Sequence, residues 1–158
     1  LFRFTKQFAV GAVVALIHDI IVVIGCFSLF QLTFDLSVLA AVLAVVGYSL
    51  NDTIVVSDRI RENFRLIRKA TPLEVINRSL NQTLGRTLVT SLTTLLVLVA
   101  LLVAGGETIR GFALAATIGI VVGTYSSIYV AANVLVLMNI SREDLLVPEK
   151  EGEESEAP

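Results

Sequence analysis

Apolar residues gather into four long blocks, at about 8–30, 36–56, 84–104 and 109–138, and most charged residues fall between or beyond them. Each block supplies the roughly 20 residues that a helix needs to cross about 30 Å of hydrocarbon at about 1.5 Å per residue. The pattern predicts an all-α fold, a polytopic membrane helix bundle with four transmembrane helices. Between the second and third blocks, DRIRENFRLIRKATPLEVINRSLNQTLGRT places Ile60, Phe64 and Ile67 at helical spacing and restarts after Thr71-Pro72. Thr71 followed by Glu74 matches a capping box, with Pro72 at the first helical position. Two short cytoplasmic amphipathic helices are predicted there, lying near the membrane surface. The chain thus divides into a membrane domain, 1–140, with a cytoplasmic loop at 57–83, and a tail, 141–158. That tail is acidic and poor in apolar residues after Val147, which predicts disorder.

Composition agrees with the pattern: the 158 residues are 55% hydrophobic and 16% charged, against about half and a quarter in soluble domains. Mean hydropathy is +0.83. The formal net charge of −2 hides an asymmetry. Arg59, Arg61, Arg65, Arg68, Lys69 and Arg78 all lie between the second and third blocks, and Arg3 and Lys6 precede the first. The opposite connections, 31–35 and 105–110, contain Arg110 as their basic residue. Basic loops stay on the cytoplasmic side, so both termini and the 57–83 loop are expected there. The first residue is Leu and no signal-peptide pattern precedes the first span, so the chain reads as a piece of something longer. Cys26, the single cysteine, lies inside a span and reads as packing. No nucleophile–base constellation, metal-ligand cluster or phosphate loop is visible, so neither an enzyme nor a cofactor is expected, and nothing points to nucleic acid.

A charge at the centre of a membrane helix costs roughly 2.5–3.5 kcal/mol on insertion scales, so intramembrane charges are functional candidates by default. His18-Asp19, Asn51-Asp52 and Arg86 qualify. Counted from the external helix ends, Asp52 lies about 24 Å deep, Arg86 about 27 Å, and His18 and Asp19 about 17–18 Å. Matching depth permits Asp52 and Arg86 to pair if their helices touch. Two readings stand for that pair: a structural lock, or a carboxyl that takes and releases a proton. Burial favours the neutral form of an Asp and a nearby Arg the charged form. Arg86 can alternatively snorkel to the interface. His18 can make a structural hydrogen bond to the next helix, and Asp58 belongs with Arg59 and Arg61 in an interfacial charge cluster or in a proton path. Arg86, Thr90 and Thr93 or Thr94 share a face whose hydroxyls could hold water or pack. Gly111, Ala115, Gly119, Gly123, Ser127 and Ala131 recur every four residues, a ladder that lets another helix approach closely, in this chain or in another subunit.

Together, GYSLNDTIVVSDRIREN (47–63), HD (18–19) and LNQTLGRTLVTSLTT (80–94) resemble the SecD/SecF family of protein-export membrane proteins, most closely the C-terminal membrane half of SecF. The likeness runs over roughly residues 3–145. It implies a resistance-nodulation-division type fold in the bacterial cytoplasmic (inner) membrane, of which this chain would supply spans three to six. It implies partnership with SecD, the SecYEG channel and YajC, and use of the proton-motive force to draw an exported polypeptide across the bilayer. In the family the Asp of the ND pair and the Arg of LxRTxxTS are implicated in proton conduction. Those positions are Asp52, beside Asn51, and Arg86. Two other readings remain: a proton-coupled small-molecule exporter of the same fold, and a non-transporting scaffold.

Overall fold

The structure, a computed structural model, describes residues 6–67, 69–138 and 140. The predicted tail, 141–158, lies outside the described residues. Among them the chain is helical throughout: α1 Lys6–Leu29, α2 Leu36–Leu66, α3 Pro72–Ala104, α4 Glu107–Tyr125, a π-helical turn Ser126–Val130, and α5 Ala131–Leu137. Four helical stretches are long and apolar enough to cross a membrane, the last formed jointly by α4, the π turn and α5. The protein is a multi-pass membrane protein.

The two amphipathic segments predicted within 57–83 are helical but not separate. α2 runs unbroken to Leu66 and α3 starts at Pro72, so each segment extends a spanning helix. No Gly or Pro interrupts 48–66, and Arg59, Arg61, Glu62 and Arg65 are good helix formers. Arg59 and Glu62 pair at 2.9 Å one turn apart. The capping box forms: Thr71 N donates to Glu74 Oε2 at 2.9 Å, and Glu74 N to Thr71 Oγ1 at 3.4 Å. At the other end of the bundle, Asp35 caps α2 by accepting from Val38 N at 2.9 Å and Ser37 Oγ at 2.7 Å. The turn into α4 needs Gly106, whose φ of 74° strains any residue with a Cβ.

α2 and α4 form the central pair, with α1 packed on one side and α3 on the other. Their approach is close because Gly119 has no side chain: a Cβ there would collide with the branched end of Val45. Gly111 faces Val38 and Gly123 faces Ser49 in the same way, so the small-residue ladder of the last span lies against α2 of this chain. The ladder does not continue as one α-helix. It passes through the π turn at Ser126–Val130, which advances the register before Ala131, whose carbonyl faces Gly11 of α1. Thr124, Ser126 and Ser127 each donate to a carbonyl of their own helix, a competition that loosens regular α geometry.

Two apolar clusters plug the bundle. One, at the end carrying the basic 57–71 stretch, joins Phe8, Val56, Ile60, Phe64, Val75 and Leu135. The other, toward the 30–35 turn, joins Val23, Phe27, Val38, Val42, Leu98 and Ile120. The outer face is apolar too, with Val13, Ile17, Ile21, Leu43, Leu88 and Leu92 all exposed where a bilayer or a partner helix would cover them.

Candidate functional site

Between the two apolar plugs every helix contributes buried polar side chains. α1 brings Asp19, α2 Ser49, Asp52 and Thr53, α3 Thr83, Thr87 and Ser91, and the last span Ser126 and Ser127. Small hydroxyls allow this layer because they are satisfied by their own helix or by a neighbour across a tight interface. Thr83 Oγ1 donates to Ser79 O at 3.1 Å, and Ser91 and Thr124 hydroxyls meet between α3 and the last span at 2.6 Å. Three atoms are exceptions. Asp52 Oδ2 and Thr87 Oγ1 are buried and make no hydrogen bond. Tyr48 Oη is a third, on the α2 turn before Asp52.

Asp52 is 6% exposed. α2 turns it inward because Ser49, Asp52, Thr53 and Val56 share the face packed against its neighbours. Asn51, one residue back, is exposed. Adjacent helical positions point about 100° apart, so the structure does not bring Asn51 into the layer with Asp52.

Arg86 stands on α3 and is the cation whose charge acts on Asp52. It closes no ion pair with that carboxylate within 4.0 Å, and Asp52 Oδ2 stays unbonded. Arg86 instead lines a cleft of about 190 Å³ between α2 and α3, with Val55, Asp58, Arg59, Glu62, Gln82 and Thr83. Val55 lies one helical turn from Asp52. Polar side chains therefore lead from the basic end of the bundle, past Asp58 and Glu62, to Arg86 and the region of Asp52. Asp58 is exposed and also borders a neighbouring cleft with Arg61, Glu62 and Arg65. The helix extensions are held together beneath this cleft: Asn63 Nδ2 donates to Ser79 Oγ and to Gln82 Oε1, each at 2.8 Å.

The α3 face differs from the one read off the sequence. Thr90 is exposed and spends its hydroxyl on the carbonyls of Arg86 and Thr87, at 3.1 and 3.0 Å. The inward stripe is Ser79, Thr83, Thr87 and Ser91. Those four hydroxyls recur every four residues, the same signal as the ladder of the last span, and could have been found that way.

His18 and Asp19 sit apart from the cleft. Asp19 is wholly buried; its Oδ2 accepts from Ser49 Oγ at 2.6 Å and its Oδ1 lies 3.2 Å from His18 Nδ1. Ser49 was not among the residues singled out by sequence. Among the described residues no group of three or more His, Cys, Asp or Glu side chains is placed to hold a metal ion.

Comparison with known proteins places this geometry in a family. The family profile described as "Protein export membrane protein SecD/SecF, C-terminal" matches residues 1–141. A protein translocase subunit SecF of Pseudomonas aeruginosa is 55% identical over 157 residues, 99% of this chain and 51% of that protein. The subunit of that name in Escherichia coli O157:H7 is 50% identical over 157 residues, again 99% of this chain and 49% of its own length. The chain therefore spans about half the length of these relatives. A crystal structure of SecDF in a form called super-membrane-facing superposes with a TM-score of 0.84 at 54% identity, covering 87% of this chain and 19% of that one.

Proposed function

Because the chain belongs to the SecD/SecF C-terminal family of protein-export membrane proteins, we propose that it works as the C-terminal membrane half of a SecF subunit. In that role it couples proton flow across the bacterial inner membrane to the export of polypeptides. The observation that carries the reading is Asp52: a buried carboxylate with an unbonded oxygen, facing an arginine with which it has closed no ion pair. A structural lock would hold the two in contact. A carboxyl that must gain and lose a proton needs this open arrangement, in which burial favours one protonation state and Arg86 the other.

Under the proposal the basic 57–71 end faces the cytoplasm, as do both termini, and the cleft lined by Asp58, Glu62 and Arg86 opens to that side. Ionised Asp52 draws the Arg86 guanidinium inward; protonated Asp52 releases it, and α2 shifts along the glycine face of α4. A proton crossing about 100 mV releases about 2.3 kcal/mol. That biases a two-state equilibrium roughly fifty-fold, enough to drive a cycle between states a few kcal/mol apart. Work on the polypeptide falls to parts of the assembly beyond these helices, with SecD, the SecYEG channel and YajC as partners, and no covalent chemistry is required of the subunit. The test is polypeptide export by membranes holding the full-length protein and SecD, measured with and without an imposed proton gradient. Asp52→Asn should leave the complex assembled and remove the dependence on the gradient. Unchanged dependence would refute the reading.

A further inference from the structure

We propose that the His18–Asp19 pair is a second proton-binding site of the membrane domain, released only when α1 parts from α2 and α4; this rests on the proton-coupled reading above. Asp19 is 0% exposed, and three elements seal it. α2 contributes the Ser49 hydroxyl at 2.6 Å from Oδ2. The last span contributes Gly123, where a Cβ would stand 3.6 Å from Oδ2, in ordinary contact, and a tight 3.3 Å from Ser49 Cβ, so the glycine lets the last span close over the Ser49–Asp19 pair. Three residues beyond Gly123 the π turn begins, and it packs on both α1 and α2. π turns store irregular hydrogen bonding at places where helices change register.

The charge balance of this node points to a proton. A buried carboxylate is costly unless a cation or several donors compensate it. No Lys or Arg among the described residues lies within 4.0 Å of Asp19; its neighbour is the His18 imidazole, with Nδ1 at 3.2 Å from Oδ1. Beside Ser49 on α2, Tyr48 and Asp52 are the nearest titratable positions in the chain, and the last span meets Asp19 at Gly123. The node thus reaches neutrality with one proton held by the pair, on the imidazole or on the carboxyl. His18 is 36% exposed at its side chain, while Asp19 stays sealed until the helices part. Losing that proton leaves an uncompensated charge inside three helices, which is relieved by opening them. Ser49 and Asp52 lie one turn apart on α2, so separation at Asp19 moves the helix that carries the first site.

The test uses the full-length protein with SecD in membranes, reading the infrared carbonyl band of protonated carboxylic acids across pH together with proton flux. Asp19→Asn should remove a band that Asp52→Asn leaves in place, and reduce flux at least tenfold in an assembled complex. His18→Gln, at a half-exposed position, should keep the fold and shift the pH midpoint of flux; it decides the matter alone should Asp19→Asn fail to assemble. A carbonyl band and a flux profile untouched by Asp19→Asn, or an unshifted midpoint in His18→Gln, would overturn the proposal while Asp52→Asn still abolishes flux. If Asp52→Asn also leaves flux intact, the failure belongs to the proton-coupled reading itself.

Discussion

Asp52 and Arg86 stand on the neighbouring helices α2 and α3 without closing an ion pair: the carboxylate keeps an unbonded buried oxygen while Arg86 lines the adjoining cleft. The apolar clusters lie on either side of the buried Asp52 carboxylate, whereas Arg86 is exposed in the cleft.

The close approach of α2 and α4 should be sensitive at Gly119. Gly119→Leu forces a side chain into the space of Val45. Overpacking of this kind costs typically about 1–3 kcal/mol. Thermal unfolding in detergent should show the loss, and combining Gly119→Ala with Val45→Ala should recover part of what Gly119→Ala alone removes. A strictly additive double variant would place the contact elsewhere.

Asn63 clasps the extensions of α2 and α3 through Ser79 and Gln82. Asn63→Leu removes both bonds, while Ser79 Oγ keeps its donation to Val75 O and the exposed Gln82 can turn to water. Loss of an intramolecular hydrogen bond costs about 0.5–1.5 kcal/mol. Faster amide exchange at 60–66 and 75–82, with α1 unchanged, is the expected signature.

The start of α2 should respond to acid. The Ser37 hydroxyl, and next the Val38 N–H, hold the Asp35 carboxyl below its ordinary value of 3.8. A lowered carboxyl stabilises the folded cap above about pH 4 and loses that contribution as pH falls through the still lower folded value. Exchange of the Val38 amide should therefore be independent of pH-driven fraying near neutrality and show it only in strong acid, and Asp35→Ala should show it at all pH values.

Much of this arrangement is legible in the chain because apolar blocks of spanning length have few other uses. The Thr71–Glu74 cap and the ladder from Gly111 to Ser127 are legible for local reasons, a side-chain hydrogen bond and a repeat. Rotation of α3 about its axis is not. With lipid outside and apolar neighbours inside, hydrophobicity does not mark the inward face, and only the hydroxyl repeat at Ser79, Thr83, Thr87 and Ser91 does. Asn51 reads as part of a motif with Asp52, yet helical geometry turns it outward. Ser49 becomes meaningful only once α1 lies beside α2, a relationship between residues 30 positions apart. The extension of α2 to Leu66 was hidden because charged residues end an apolar pattern without ending a helix.

The most direct test is proton flux through the full-length protein reconstituted with SecD in vesicles under a fixed gradient, comparing the wild type with Asp52→Asn and Asp52→Glu. The account predicts background flux for Asp52→Asn, with the complex intact, and partial recovery for Asp52→Glu with a changed pH midpoint. Wild-type flux in an assembled Asp52→Asn complex would contradict it and leave Asp52 a structural residue.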